Sequence, residues 1–155
     1  MATLRVWTFD TVELAGHVRE LLAAEGLARG SGASATISWT RDVAAPRLDA
    51  VSDPSWSDLF DAVFLEPLRR AGRGEAPPAD PTPVPLDLDQ AAVNRLRDGV
   101  VPGHSALLVI LERDVDRLED RVRTQQPRLE WSARASLAPY DRGQTDLERL
   151  AGAAA

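Results

Sequence analysis

Residues 105–111, Ser-Ala-Leu-Leu-Val-Ile-Leu, form a stretch that is apolar at both odd and even positions. A strand alternates its faces residue by residue, so this run predicts a central strand covered above and below. Each large aliphatic from Leu107 to Leu111 adds roughly 1.5–3 kcal/mol when fully buried. Leu4-Arg5-Val6-Trp7-Thr8-Phe9, rich in β-branched and aromatic residues, predicts a first strand. Ala35–Thr40 and Arg128–Leu137 alternate, which predicts strands with one buried and one wetter face. Arg47–Val51, after Pro46, reads as a short edge strand.

The helical segments carry a different period. Asp10 and Glu13 have the spacing of a capping box, followed by Val12, Ala15, Val18 and Leu22 on one face and a stop at Gly26. Trp56, Leu59, Phe60, Val63, Phe64 and Leu68 fall at i, i+3, i+4, i+7, i+8 and i+12, the apolar stripe of an amphipathic helix over 55–71. Pro67 lies inside it and is expected to kink or end it. Residues 72–86 are dense in proline and read as an extended linker. A helix over 88–98 stops at Gly99. Asp114 opens another, with Val115, Leu118 and Val122 on one face and Pro127 beyond its end.

The resulting order is strand–helix–strand, an insertion at about 43–104, then strand–helix–strand. Two such halves predict an α+β, ferredoxin-like split βαβ sandwich. In that arrangement Leu4–Phe9 and Ser105–Leu111 lie side by side in the centre, as their apolar character requires. A single domain would span residues 1–138, with 139–155 a flexible or short-helical tail.

Composition narrows the chemistry. The chain has 155 residues, a net charge of −6 and no cysteine. An acidic chain lacks the footprint for nucleic acid and disfavours anionic membranes. The absence of cysteine removes thiolate chemistry and disulfides, and suits a reducing cytoplasm. All eighteen basic residues are arginine, which excludes Schiff-base, P-loop and general-base lysines. The start has no signal-peptide pattern, and no apolar run reaches the roughly 20 residues that span a bilayer.

Val6-Trp7-Thr8-Phe9-Asp10, and the run from Leu96 through Val101-Pro102-Gly103-His104-Ser105 to Ile110, resemble the bacterial domain-of-unknown-function family 1269. The resemblance covers residues 3–42 and 87–137. It implies a ferredoxin-like fold and no assigned activity. Members typically carry a glycine-rich hydrophobic hairpin between the halves. Here Trp56–Gly72 takes that place, with Asp58, Asp61, Glu66, Arg69 and Arg70 interspersed, charges that lipid would not accept cheaply. His104 stands where members usually have serine.

No catalytic constellation emerges, and neither a cofactor nor a metal is expected. His17 reads as a solvated helix residue and His104 as a turn residue. Ser105 adjoins His104, but neighbouring strand residues face opposite ways. Gly30-Ser31-Gly32 lies between a helix and a strand, the wrong context for a dinucleotide loop. Arg113, Arg117 and Arg121 share a helix stripe with interleaved acids, a solvated ion-pair face. Pro81–Pro85 reads as a spacer. The tryptophans are the richer signal: Trp7, Trp39 and Trp131 on strands and Trp56 opening the inserted helix. Core packing accounts for them, with an aromatic interface or pocket as the functional alternative.

The expected function is non-enzymatic: self-association, or binding to another protein, through an open sheet face and the stripe Trp56, Leu59, Phe60, Val63 and Phe64. One alternative is a cofactor-independent enzyme or small-hydrophobic-ligand binder of the dimeric ferredoxin-like type, with an aromatic pocket and His104. A third is peripheral membrane contact through residues 56–68, which the acidic charge opposes.

Overall fold

β4 (Ser105–Leu111) is buried at every position and is flanked by a hydrogen-bonded strand on each side. The computed structural model describes residues 2–27, 33–52, 56–76, 88–111 and 116–135. β4 pairs antiparallel with β1 (Ala2–Phe9), from Thr3↔Leu111 to Phe9↔Ser105, and with β2 (Ala33–Ser38), from Ala33↔Ile110 to Ser38↔Ser105. β3 (Arg47–Val51) lies outside β2, and β5 (Leu129–Ala135) lies outside β1. The protein is thus an α+β molecule with a five-stranded antiparallel sheet in the order β3-β2-β4-β1-β5. β1 and β2 stand one strand apart with β4 between them, and β4 and β5 stand one strand apart with β1 between them.

Two layers of helix cover this sheet. α1 (Leu14–Ala24) and α5 (Asp116–Arg123) lie on one face, where Trp7, Phe9, Leu107 and Val109 meet Val18, Leu22, Leu118 and Val122. The inserted segment lies on the other: α2 (Ser57–Phe60), a π-helical turn at Asp61–Leu65, α3 (Glu66–Gly72) and α4 (Gln90–Gly99). There Leu4, Val6, Ile37, Leu108 and Ile110 pack with Phe60, Val63, Phe64, Leu68 and Leu96.

Two expectations are corrected by this packing, and a third is met in part. Among the described residues both faces of the central strands are covered, because the stripe expected to present itself to a partner packs on the chain's own sheet. Trp56, Phe60, Val63 and Phe64 are buried and Leu59 partly so. β2 has no wet face, since α1 packs over Ser34, Thr36 and Ser38, all of them buried. Pro67, expected to kink or end the inserted helix, does not end it, and the interruption there is a change from π- to α-helical bonding at Leu65–Glu66. Pro67 sits in the first turn of α3, where a missing N–H costs little, and the wider π turn before it carries the helix through.

The first helix also starts differently. α1 begins at Leu14 after Glu13, which makes no side-chain cap. Ser105, ninety residues away, does that job: its hydroxyl accepts the Ala15 N–H at 3.1 Å and donates to the Thr11 carbonyl at 2.6 Å. The stop at Gly26 agrees with the sequence: it takes a positive φ of 69° just after α1. The Asp89 carboxylate caps the start of α4 by accepting the Ala91 N–H at 3.1 Å, a cap the sequence reading did not name. The Asp114 cap, Gly30–Gly32, Pro81–Pro85 and the tail lie outside the described residues.

Candidate functional site

Trp39 leaves the end of β2 and is fixed from both sides. Its N–H donates to the His104 carbonyl at 3.0 Å, and its own carbonyl accepts the Gly103 N–H at 2.6 Å. Gly103 holds a φ of 91°, a conformation that glycine adopts freely, and a Cβ there would lie 2.6 Å from Arg41 Nε. The Trp39 indole N–H closes the following loop by donating to the Val43 carbonyl at 3.0 Å. On the other side Gly72 ends α3 against that loop, where a Cβ would come within 2.8 Å of the Ala44 carbonyl oxygen and 3.0 Å of the Trp39 ring.

These contacts leave a cleft of about 350 Å³ between the loop, the end of α3 and the turn after α4. Trp39, Val43, Ala71, Val101 and Pro102 make its walls, and Arg97 supplies a cation. The Arg97 guanidinium donates to the Glu75 carbonyl, which holds it in place. Val43 is 51% exposed and Val101 37%, so two of the three large hydrophobics that are solvent-exposed among the described residues flank this cleft. The third is Leu129, 45% exposed at the start of β5.

A second groove, of about 370 Å³, runs between α4 and β5. Trp131 and Ala133 line it, with Asp89, Arg95 and Arg134 among the groups around it. The Trp131 Nε1 is buried without a hydrogen-bond partner.

The histidine and serine at the head of β4 do not make a nucleophilic pair. Ser105 is fully buried and committed to α1. His104 Nδ1 lies 3.2 Å from the Val101 carbonyl, which requires a proton on that nitrogen. Nε2 then accepts from Arg128 Nη1 at 3.0 Å, with Asp10 Oδ1 at 3.7 Å. An imidazole whose free lone pair already receives a guanidinium N–H is poorly placed to take a substrate proton.

Charge elsewhere is structural. Arg5 reaches across from β1 to the buried Glu119 of α5 at 2.7 Å, and Arg123 joins Glu119 to Glu130 of β5. The hydrogen bond from Arg123 holds the Glu130 carboxyl below its ordinary range, against the opposing effect of burial. Arg121 pairs with Glu25 across from α1 and Arg117 is exposed; Arg113 lies outside the described residues. No cluster of three or more potential metal ligands occurs among the described residues.

The eight candidate residues therefore divide. Trp7 is buried beneath α1 and α5. Trp56, Leu59, Phe60, Val63 and Phe64 form the packed centre of the opposite layer, with Phe60 stacked on Phe64 at 5.4 Å. Trp39 and Trp131 each border a concave surface. Val43, Val101, Pro102 and Arg97 escaped the sequence reading. Their one signal was a pair of valines set in turns, with no strand or helix of their own to pack. Comparison with models of known families, with curated proteins and with solved structures gives no match to this chain. No helix among the described residues is long and apolar enough to cross a membrane.

Proposed function

We propose that this chain is a non-enzymatic binding protein of ferredoxin-like type, which seats an apolar side chain of another protein in the Trp39 cleft. The strand order β2-β4-β1-β5, with α1 and α5 on one face, supports the fold assignment. The resemblance to domain-of-unknown-function family 1269 agrees with that fold and rests on Val6–Asp10 and Leu96–Ile110 alone. The convergence of exposed Val43 and Val101 on Trp39 carries the functional reading. Exposed apolar groups that gather in one concavity mark interaction sites, whereas scattered ones do not.

The size of the cleft favours a protein anchor. Small-molecule sites run from about 300 to 1,000 Å³, and this one lies near the lower bound at about 350 Å³. It fits one aliphatic or aromatic side chain, and Arg97 at its wall favours a neighbouring carboxylate. A small hydrophobic acid is the second reading, supported by the same Arg97. The inserted stripe no longer offers a surface for either a partner or a membrane, since it lies in the core.

N-acetyl-leucine carries both recognition elements and serves as a minimal probe. In ¹H–¹⁵N spectra its titration is expected to move the Trp39 indole and the Val43 and Val101 amides, with weak, roughly millimolar affinity. N-acetyl-leucinamide, without the carboxylate, is expected to bind more weakly, and Val101→Asp to abolish the shifts while the remaining spectrum stays dispersed. A titration that leaves the three cleft signals unmoved sinks the proposal.

A further inference from the structure

The two edges of the sheet are protected very differently. β3 is five residues long and its register with β2 slips between Thr36 and Ile37. Short length and a bulge are devices that discourage pairing with another chain. β5 has neither. It runs seven residues in a single register against β1, from Thr8↔Leu129 to Ala2↔Ala135, and among the described residues nothing pairs with its outer edge. It contains no proline, and Leu129 stands exposed at its start.

We propose that β5 is a homodimer interface, pairing antiparallel with β5 of a second copy about a two-fold axis at Ser132. The strand Leu129-Glu130-Trp131-Ser132-Ala133-Arg134-Ala135 is self-complementary in that register. Glu130 of each copy, whose carboxylate also accepts Arg123 of its own chain and has further lone pairs to offer, faces Arg134 of the other, twice per dimer. On the opposite face the bulky Trp131 meets the small Ala133, and Leu129 meets Ala135. Directly opposed residues of an antiparallel pair share a face, so oppositely charged and large–small pairs are the combinations that stabilise it. Centring one residue earlier, on Trp131, would set Arg128 against Arg134 and waste Glu130 on Ser132. Arg134 is exposed and makes no ion pair among the described residues, so the cation is free for a second copy. The two sheets would join into one of ten strands, and the groove beside Trp131 would lie along the seam. This surface is separate from the Trp39 cleft and does not depend on it.

Sedimentation velocity on the 155-residue chain tests the pairing by charge exchange. The wild type is expected to sediment as a reversible dimer at high micromolar concentration, since a strand pair makes a small interface. Arg134→Glu and Glu130→Arg each set like charges opposite one another twice, and each is expected to weaken the dimer about tenfold. Mixing the two single variants in equal amounts restores opposite pairs in a heterodimer, and the double exchange restores them in a homodimer. Circular dichroism checks the fold, and the exposed Arg134 gives a variant that leaves it intact. A monomeric wild type, a dimer indifferent to Arg134→Glu, or a mixture that fails to recover association overturns the proposal. So does a monomeric full chain that dimerises only when residues 136–155 are removed, because the edge then belongs to the chain's own tail.

Discussion

Ser105 illustrates how a single side chain can hold two distant parts of the chain together. Its hydroxyl satisfies the first turn of α1 and the Thr11 carbonyl at once, inside the core. Ser105→Ala would leave the buried Ala15 N–H without its partner, at a cost of about 1–3 kcal/mol, while the Thr11 carbonyl, on an exposed residue, can turn to water. Urea titration is expected to register this as a lower midpoint with an unchanged slope. The sequence could not reveal the contact, because a capping box is read within four residues and this cap comes from ninety residues away. Asp10, the residue that local spacing selects, instead leaves its side chain 74% exposed, beside His104 and Arg128. At the cleft, likewise, Trp39 was visible as an aromatic on a strand. Val43 and Val101 became meaningful only when the turns that carry them met.

Among the elements, the inserted helix departs most from its sequence pattern. Its stripe was fully legible, since period 3.6 survives whatever the stripe packs against. The π turn was not legible, because it reconciles Pro67 with continued packing on the sheet rather than answering to any local motif. Arg69 braces that turn by a two-pronged bond to Asp61, at 2.8 and 2.7 Å. The hydrogen bond from Arg69 is the main reason that the Asp61 carboxyl is held below its ordinary range, with burial opposing it. A carboxyl with a depressed folded value stabilises the native state above its unfolded value, near pH 4, and loses that contribution as the pH falls through the folded value. Asp61→Asn is therefore expected to be less stable than wild type at neutral pH, by under about 1 kcal/mol because water screens the pair. The difference should shrink below about pH 4 and vanish in stronger acid, as followed by thermal melts across the acid limb.

For the whole molecule, the insertion makes one body out of two halves. Its helices complete the second layer over β1, β2 and β4, so the segment between the halves is part of the core rather than an appendage. Phe60→Ala is expected to cost about 3–5 kcal/mol. Near- and far-ultraviolet circular dichroism should then lose their signals in a single shared transition, whereas an early, separate loss of the aromatic signal would show a module that unfolds by itself. The periodicity of the chain by itself determined most of its strands and helices, that β1 and β4 lie side by side, and that Gly26 ends the first helix. Each of those is a local property, set by the alternation of side chains and by the conformations a residue tolerates. Tertiary structure alone decided what covers each apolar face, which serine caps α1, and that Trp39, Val43 and Val101 share a cleft. A periodic pattern states that a face must be buried and is silent on its partner, because the partner lies at a sequence distance that no local rule spans.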